Sequence, residues 1–449
     1  MSIHILSGCG SFMAGLASII SESKQKVKAY DVAFLPPMLN QLSTAQVEMI
    51  EGYQDHSQIQ PEDQVIVGNA IKRGNPMLEH LLANNHPLIS GPEWLKQQVL
   101  SKRRTLAFAG THGKTTTTAM MSWVLEYLGE EPGFLVGGIP LNMQTSARLG
   151  KGSWFVIEAD EYDTVLWDKR PKFMHYPAEL VVINNLEFDH ADIFRDLDDI
   201  TQQFSYYLKT LKPGAKVVYP ASSELISKLV EQAPWVKACP MHAQQTGQPY
   251  HLRALADDWS KFVLYDQEAK EHIVQWDLWG EHNAMNALSV FTAACELGLN
   301  REKVIQAITE FQGVQRRMQR IGKSSQQQTV WDDFAHHPTA LSSVIKAARS
   351  RFREGRIVIY LKLINYTQRE GIMWQQLQQS TAGADLVLLL QNNPNFPYQL
   401  FKSSHASPVV LLDEDMTSEQ LSHHLQPGDH IITCSSRDCS NMHQAVLAL

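Results

Sequence analysis

The chain has 449 residues, of which 44% are apolar and 19% are charged, and its formal net charge is -8. Because this length exceeds what one hydrophobic core supports, we expect about three domains. Lys and Arg are scattered and the net charge is mildly negative, so the composition predicts no nucleic-acid partner. We find no run of about 18 apolar residues and no signal sequence, which argues against a membrane partner and secretion.

The cysteines indicate a reducing compartment. An odd, scattered set without a C-x-x-C pair argues against both a disulfide framework and a zinc site. We therefore expect a cytoplasmic protein. The five residues are Cys9, Cys239, Cys295, Cys434 and Cys439.

In chain order, strand patterns alternate with helical patterns, which predicts α/β domains with mainly parallel sheets. Three blocks each open with a strand followed by a helix, at "IHILSGCG", "TLAFAGTHGK" and "GRIVIYL". Polar segments separate these blocks. We place the domains at 1–100, 101–319 and 320–449.

Further strands are expected inside the second and third blocks. The continuous apolar runs "WFVIEAD" (154–160) and "ELVVINN" (179–185) are typical of strands buried on both faces. Polar clusters follow both runs, and ligands of open α/β sheets bind beyond the carboxyl ends of the strands. In the third block, "ADLVLLLQ", "PVVLLD" and "DHIITCSS" read as strands, and "PTALSSVIKAARSRF" as an amphipathic helix.

The segment "GTHGKTTT" has the parts of a nucleotide phosphate loop, although the usual loop has a glycine where Phe108 stands. Backbone N–H groups at a helix N-terminus attract phosphate, Lys114 can reach the terminal phosphates, and the Thr115 hydroxyl can ligate Mg²⁺. The alternative is a Thr-rich helix cap without a ligand. We assign the nucleotide contacts to Gly110, Thr111, His112, Gly113, Lys114, Thr115 and Thr116.

Two acidic clusters follow the strands of the second block, "EADEYD" and "NNLEFDHAD". Mg²⁺ takes oxygen ligands together with nucleotide phosphates, so a carboxylate and a nearby histidine are candidates for a metal site. We choose Glu158 and His190 beside Lys114 and Thr115. Each cluster alone is more typical of a solvated turn.

The segment "WGEHNAMNALSVFTAACELG" predicts a helix with His282, Asn283 and Asn286 on one face. An asparagine amide matches the donor and acceptor of adenine N6 and N7. The alternative is a helix cap at Asn283 with a surface Asn286.

The first block begins like a dinucleotide site, but Met13 stands where the third glycine of G-x-G-x-x-G belongs. This break disfavours a dehydrogenase. Asp31, at the end of the next strand pattern, is a candidate to hold a ribose hydroxyl.

The motifs "GTHGKTTTT", "EADEYD", "NNLEFDHADIF", "GEHNAMNAL", "GVQRRM" and "DDFAHHPTA", in this order, resemble the Mur ligase family of peptidoglycan enzymes. The resemblance covers essentially the whole chain. It implies an N-terminal Rossmann-like UDP-binding domain, a central P-loop ATPase domain and a C-terminal Rossmann-like domain that binds the amine. It also implies ATP and Mg²⁺ as cofactors, and ligation through an acyl phosphate.

The resemblance implies roles for individual residues. Lys114, Glu158 and His190 would be catalytic, and Thr115, Glu158 and His190 would hold the metal. His282, Asn283 and Asn286 would contact adenine, with Arg317 and Asp333 at phosphate and ribose. The UDP-sugar would bind to Gly8, Gly10, Ser11, Phe12, Met13, Asp31 and Asn69.

Within the family, "GCGSFMAGLA", "GNAIKRGNP" and "IEADEYD" most resemble the branch that joins UDP-N-acetylmuramate to the recycled murein tripeptide L-alanyl-γ-D-glutamyl-meso-diaminopimelate. The alternative within the family is the branch that adds L-alanine. An alternative from another class is a nucleotide-regulated UDP-sugar-binding protein without ligase activity.

The chain also departs from the family pattern. In "YLKLINYTQREG" no arginine occupies the expected place, although Lys362 and Arg369 flank it. For the peptide we consider Lys362, Arg369, Asn392, Asn393 and Arg437, each of which also fits a surface role. A carbamylated lysine occurs in some branches, and Lys209 is a candidate that we leave unassigned.

Overall fold

The computed structural model describes residues 2–188, 193–243, 247–364, 371, 373–413 and 417–449. In these residues, three α/β units are built on sheets of five, ten and six strands. Most neighbouring strands are parallel, which confirms the fold class expected from the sequence. None of the described helices has the length and apolar character needed to cross a membrane.

The N-terminal unit is a sheet with helices on both faces. Its strands are β1 (Ile3–Leu6), β2 (Val27–Asp31), β3 (Glu48–Glu51), β4 (Gln64–Val67) and β5 (Leu88–Ser90). Its helices are α1 (Ser11–Glu22), α2 (Met38–Thr44), α3 (Pro76–Ala83) and α4 (Gly91–Gln98). The strands are parallel in the order β3-β2-β1-β4-β5, which places the switch in strand order between β1 and β4.

The central unit contains the longest sheet. Its strands are β6 (Arg104–Ala109), β7 (Gly133–Leu135), β8 (Ala147–Arg148), β9 (Trp154–Glu158), β10 (Asp163–Val165), β11 (Asp168–Pro171), β12 (Leu180–Ile183), β13 (Lys216–Pro220), β14 (Lys237–Ala243), β15 (His251–Ala254), β16 (Lys261–Tyr265) and β17 (Glu271–Gln275). Its helices are α5 (Lys114–Tyr127), α6 (Leu197–Thr210), α7 (Glu224–Glu231), α8 (Glu281–Glu296) and α9 (Arg301–Thr309). The sheet order is β17-β16-β15-β14-β13-β12-β6-β9-β7-β8, and β10 pairs with β11 as a separate hairpin.

The described part of the C-terminal unit forms a six-stranded sheet in the order β18-β19-β23-β20-β21-β22, in which the edge strand β18 is antiparallel to its neighbour and the other pairs are parallel. Its strands are β18 (Gln319–Lys323), β19 (Thr329–Asp333), β20 (Ile357–Leu361), β21 (Leu386–Leu390), β22 (Val409–Leu412) and β23 (His430–Cys434). Its helices are α10 (Pro338–Arg351), α11 (Trp374–Thr381), α12 (Tyr398–Ser404), α13 (Ser418–Ser422) and α14 (Ser440–Leu447).

The register of the strands in the central sheet explains where a ligand can bind. β6 lies between β9 and β12, and it pairs Phe108 with Glu158 and Ala109 with Ile183. Because the three strands are parallel, their carboxyl ends reach one edge of the sheet together. The loop after β6, the carboxylate of Glu158 and the residues after Ile183 therefore converge.

Candidate active site

The loop between β6 and α5 requires glycine at two positions. Gly110 has φ +124° and Gly113 has φ +81°, values that side-chain-bearing residues rarely adopt. A Cβ on Gly110 would lie 2.8 Å from the Asn185 carbonyl oxygen, and one on Gly113 would lie 2.6 Å from Asn286 Oδ1. No side chain caps the N-terminus of α5, so its first backbone N–H groups suit a phosphate.

Lys114 is the first residue of α5, and its ammonium group is held at the loop. Lys114 Nζ donates to the carbonyl of Gly110 at 2.7 Å and to Glu161 Oε1 at 2.8 Å. Burial alone would lower the pKa of Lys114, but the carboxylates of Glu161 and Asp160 outweigh it and raise the pKa. The lysine is therefore a fixed positive charge beside the loop, as contact with terminal phosphates requires.

Thr115 and Glu158 place two side-chain oxygen groups next to the lysine. Thr115 Oγ1 donates to Glu158 Oε1 at 2.9 Å, and the backbone N–H of Gly137 donates to Glu158 Oε2 at 2.6 Å. Burial raises the pKa of Glu158, and the charge of Lys114 partly offsets this effect. A buried carboxylate beside a hydroxyl fits a hard cation such as Mg²⁺, because the cation would stabilise the ionised form.

Arg317 brings the segment that precedes β18 to the same place. Its guanidinium donates to Thr115 Oγ1 at 3.2 Å. Burial lowers the pKa of Arg317, and the charge of Asp333 works against this effect. Asp333 accepts from the backbone N–H groups of Ala335 at 2.6 Å and Met318 at 2.7 Å. The structure thus brings the predicted Arg317 and Asp333 together beside the phosphate loop.

The three predicted residues of α8 lie in different surroundings. Asn286 is buried against Gly113, and Asn283 Nδ2 donates to the Trp279 carbonyl at 2.9 Å. Burial and the nearby charge of Arg317 lower the pKa of His282 to about 4, so its imidazole is neutral at neutral pH. Their assignment to adenine stays a prediction.

Other predicted loop residues have structural partners. The backbone N–H of His112 donates to Asn185 Oδ1 at 2.7 Å, and Thr111 Oγ1 exchanges hydrogen bonds with the backbone of Glu187. Thr116 is buried in the first turn of α5.

Sequence reasoning did not assign three residues that hold this site together. Glu161 pairs with Lys114, Asn185 fixes the loop backbone, and Glu187 contacts it from the other side. Each follows a buried strand at the carboxyl edge of the sheet. That position was the available signal, but the sequence alone does not tell which of several polar residues there points inward.

In the N-terminal unit, the predicted UDP-sugar residues surround the start of α1. Gly10 precedes α1 without a side-chain cap, and Ser11 is exposed in its first turn. A Cβ on Gly8 would lie 2.7 Å from Ala29 Cβ, so only glycine fits there. Asp31 accepts from the backbone N–H groups of Cys9 at 2.9 Å and Val32 at 2.8 Å.

Met13 explains the broken glycine pattern. Its buried side chain fills space beside two glycines, Gly68 and Gly91. A Cβ added to Gly68 would lie 3.2 Å from Met13 Cγ, and a Cβ added to Gly91 would lie 3.0 Å from Met13 Sδ. Phe12 contacts Gly91 from the same turn, and Asn69 directly follows Gly68. The missing glycine is thus compensated by glycines on neighbouring elements.

The other predicted residues either fall outside the described part of the chain or have partners away from the phosphate loop. His190 and Arg369 are outside the described residues. Lys362 Nζ donates to the Asp438 carbonyl at 3.1 Å, and Lys209 lies over the Tyr206 ring. Asn392 Nδ2 donates to the Leu363 carbonyl, Asn393 is buried, and Arg437 is exposed.

Three family profiles match the chain in succession. They are the Mur ligase family catalytic domain at residues 2–103, the Mur ligase middle domain at 108–294, and the Mur ligase glutamate ligase domain at 316–437.

Individual relatives agree with these profiles. The UDP-N-acetylmuramate–L-alanyl-γ-D-glutamyl-meso-2,6-diaminoheptandioate ligase of Escherichia coli K12 is 40% identical over 100% of this chain and 98% of its own length. A UDP-N-acetylmuramate–L-alanine ligase of Syntrophomonas wolfei is 29% identical over 87% of this chain and 82% of its own. The crystal structure of a murein peptide ligase from Psychrobacter arcticus 273-4 matches this structure with a TM-score of 0.76. The two sequences are 32% identical, and the match covers 100% of this chain and 99% of that one. This chain therefore belongs to the Mur ligase family.

Proposed function

We propose that this protein is an ATP-dependent ligase that joins UDP-N-acetylmuramate to the tripeptide L-alanyl-γ-D-glutamyl-meso-diaminopimelate in peptidoglycan recycling. The observation that carries the proposal is the 40% identity, over the full chain, to the Escherichia coli enzyme of that name. The identity to an L-alanine-adding relative is lower, at 29% over 87% of the chain. We place the reaction in the cytoplasm.

The site supports activation of a carboxylate by ATP. Lys114 and the N-terminus of α5 would hold the terminal phosphates, with the fixed charge of Lys114 near the transferring group. Thr115 and Glu158 would hold Mg²⁺, which supplies charge neutralisation on the phosphoryl oxygens when it is bound. Arg317, beside Thr115, would add a second positive charge.

The chemistry proceeds in two displacements. An oxygen of the muramate carboxylate attacks the γ-phosphorus, and ADP leaves. The amine of the peptide then attacks the acyl carbon, phosphate leaves, and the nitrogen loses a proton. ATP is needed because a carboxylate is a poor electrophile at neutral pH, and phosphorylation splits one hard step into two easier ones.

The roles of the remaining residues are those that the family resemblance implies. The start of α1, with Gly8, Gly10 and Ser11, would hold the UDP diphosphate, and Asp31 and Asn69 would contact other parts of the nucleotide sugar. Asn283 and Asn286 would lie towards adenine and Asp333 towards ribose. His190 would complete the metal site.

A matrix of amines tests the proposal. We expect ADP formation to require UDP-N-acetylmuramate together with the tripeptide, and free L-alanine to be the poorer substrate. Remote contacts to the rest of the tripeptide would orient the same α-amino group. Equal or higher kcat/KM for L-alanine would favour the L-alanine-adding activity. ADP formation independent of both substrates would instead favour a nucleotide-regulated binding protein.

A further inference from the structure

One polar junction joins the C-terminal unit directly to the phosphate loop. We name it the Glu187 junction, and it consists of Glu187, His112, His337 and Thr339. Glu187 Oε2 accepts from Thr339 Oγ1 at 2.6 Å, and it lies 3.6 Å from His112 Nε2 and 3.9 Å from His337 Nδ1. The junction therefore connects three segments: the phosphate loop, the residues after β12, and the first turn of α10.

Glu187 is fixed on the phosphate-loop side by its backbone. Its N–H donates to Thr111 Oγ1 at 2.9 Å, and its carbonyl accepts from the same hydroxyl at 3.2 Å. The side chain can therefore reach across to α10 without moving the loop.

The C-terminal side of the junction suits a carboxylate. His337 is the N-cap of α10, and its ring accepts from the Thr339 N–H at 3.3 Å. A helix N-terminus carries partial positive charge, which attracts a negative group. Burial alone would raise the pKa of Glu187, but the nearby His112 imidazole and the hydrogen bond from Thr339 hold the pKa below its ordinary value. Glu187 is thus ionised at neutral pH and faces a positive helix end.

Glu187 and the two histidines are close enough to suggest a metal site, since one ligand atom of each lies within 4.8 Å of the others. The hydrogen bonds argue for a different role. Of the three ligand atoms, His337 Nδ1 already accepts from the Thr339 backbone N–H, so a cation held by all three residues would have to displace that bond. His112 Nε2 makes no hydrogen bond to the described residues, and Glu187 Oε2 accepts from Thr339 Oγ1 with one of its lone pairs. The Glu187 junction is therefore better described as a contact between the C-terminal unit and the central unit than as a metal site.

The other polar contacts of α10 with the central unit are weaker anchors. Lys346 pairs with Glu281 and Arg351 with Asp258, but the Lys346 side chain is 74% exposed and the Arg351 side chain is 42% exposed. Exposed ion pairs contribute little, because solvent screens them and long side chains lose entropy. The junction also contains solvent-accessible groups, since Thr339 is exposed and the Glu187 side chain is 35% exposed. It differs from those pairs because the His337 side chain is only 7% exposed and the bond from Thr339 is made to an ionised acceptor.

We infer that Glu187 is a positioning residue, which seats the amine-binding C-terminal unit on the phosphate loop through Thr339. The inference rests on the proposed function for the identity of the amine. The contact places the start of α10 at a fixed distance from Lys114 and Thr115, where the acyl group is activated. Loss of the contact therefore impairs attack by the amine more than it impairs the use of ATP.

Kinetics with Thr339→Val provide the first test. This change removes the hydroxyl and keeps the shape, and we expect kcat/KM for the tripeptide to fall about 10- to 100-fold, as for loss of a hydrogen bond to a charged group. Positional isotope exchange in ATP, measured with UDP-N-acetylmuramate but without amine, should change much less. Thr339→Ser retains the hydroxyl and should restore most of the activity. Ser343→Ala removes a hydroxyl one turn later on the same helix and should have no effect.

Solution scattering provides a second test that does not depend on the amine. Glu187→Gln and Thr339→Val should each increase the radius of gyration relative to the wild type, whereas Ser343→Ala should not. An unchanged radius together with unchanged kcat/KM in Thr339→Val would overturn the inference. Equal losses in isotope exchange and ligation would also overturn it, as would stoichiometric Zn²⁺ binding that His112→Ala abolishes. If the wild type does not use the tripeptide, the proposed function fails, and the scattering result alone decides the positioning role.

Discussion

The central unit contacts its two neighbours through chemically different surfaces. Towards the N-terminal unit the contact is apolar, since Leu16 of α1 belongs to the same buried cluster as Leu135 of β7 and Ala147 of β8. The hairpin β10–β11 adds Val165 to the N-terminal core beside Val67. Buried hydrogen bonds, such as Ser146 Oγ to Gln41 Oε1 at 2.7 Å, complete this surface.

Towards the C-terminal unit the contact is mainly polar. Among the described residues it includes the Glu187 junction and the ion pairs that Lys346, Arg351 and Arg353 form with the central unit. Its apolar part is Trp279, which belongs to the buried cluster of the C-terminal unit and lies edge-on to Trp331 and Phe352, with ring centroids 5.7 Å and 5.4 Å apart. Apolar surface that is continuous with a core fixes two units together, whereas polar surface of this kind permits separation. The difference indicates that the predicted UDP-sugar and ATP sites form one preassembled unit, on which the C-terminal unit, predicted to bind the amine, docks.

The largest effect is expected from Lys114→Ala, which tests whether the two sites of the preassembled unit work independently. Removal of one charge aimed at the transferring phosphoryl group should lower the rate about 10² to 10³-fold. Affinity for UDP-N-acetylmuramate, measured by calorimetry, should be nearly unchanged because its predicted site lies in the N-terminal unit. Lys228→Ala, at an exposed position of α7, is the control. Activity above about a tenth of the wild type would contradict the role of Lys114.

Leu135→Ala tests the apolar contact itself. Loss of a buried leucine should reduce the free energy of unfolding by about 3 kcal/mol, and the N-terminal and central units should lose stability together. Urea unfolding followed by fluorescence measures this change. The matched control is Leu389→Ala in β21, which should destabilise only the C-terminal unit. If Leu135→Ala affected the central unit alone, the two units would not share a core.

We expect the free energy of unfolding to depend on pH through His282, which lies near the contact with the C-terminal unit. Its folded-state pKa, about 4, lies below the ordinary value of 6.5, so the unfolded chain takes up the proton first as the pH falls. As the pH falls from 6.5 to about 4, the free energy of unfolding should therefore decline by at most about 3 kcal/mol. Below about pH 4, the contribution of His282 should not change further. His282→Gln should remove this part of the decline, and His423→Gln, at an exposed site, should retain it. Parallel curves for wild type and His282→Gln would show that His282 does not titrate as expected.

The smallest effect is expected from Arg351→Gln, which removes one exposed pair of the polar contact. The cost should be below about 1 kcal/mol, seen as a modest increase in KM for the tripeptide at low salt. The increase should vanish near 1 M salt, where charges are screened beyond about 3 Å. A large effect that is independent of salt would mean that this pair anchors the C-terminal unit as strongly as the Glu187 junction does.

Regular elements were predictable because their patterns are local. The runs at β9, β12, β20 and β23 are apolar and β-branched, and all four form strands in the structure. The antiparallel strands β15–β17 and the hairpin β10–β11 were not predicted. They lie at a sheet edge or outside the main sheets, where alternating polar residues give a weak signal.

The site was predictable to the extent that its chemistry is local. Gly110, Gly113, Lys114 and Thr115 are adjacent in the sequence, and their spacing by itself indicated a phosphate loop. Met13 shows the opposite case, because the glycine pattern breaks there and the space is supplied by Gly68 and Gly91 from other elements. A motif search along one segment of the chain cannot detect glycines that other elements contribute.

The sequence by itself determined the α/β class and the resemblance to a ligase family, and it predicted a phosphate loop, since each depends on residues close together in the chain. Only the tertiary structure decided that Glu161 pairs with Lys114, that Arg317 reaches Thr115, and that Glu187 meets Thr339. These partners are separated by 47, 202 and 152 residues. Their contacts depend on strand order, register and the docking of one unit on another, which arise from burial of the whole sheet rather than from any local pattern.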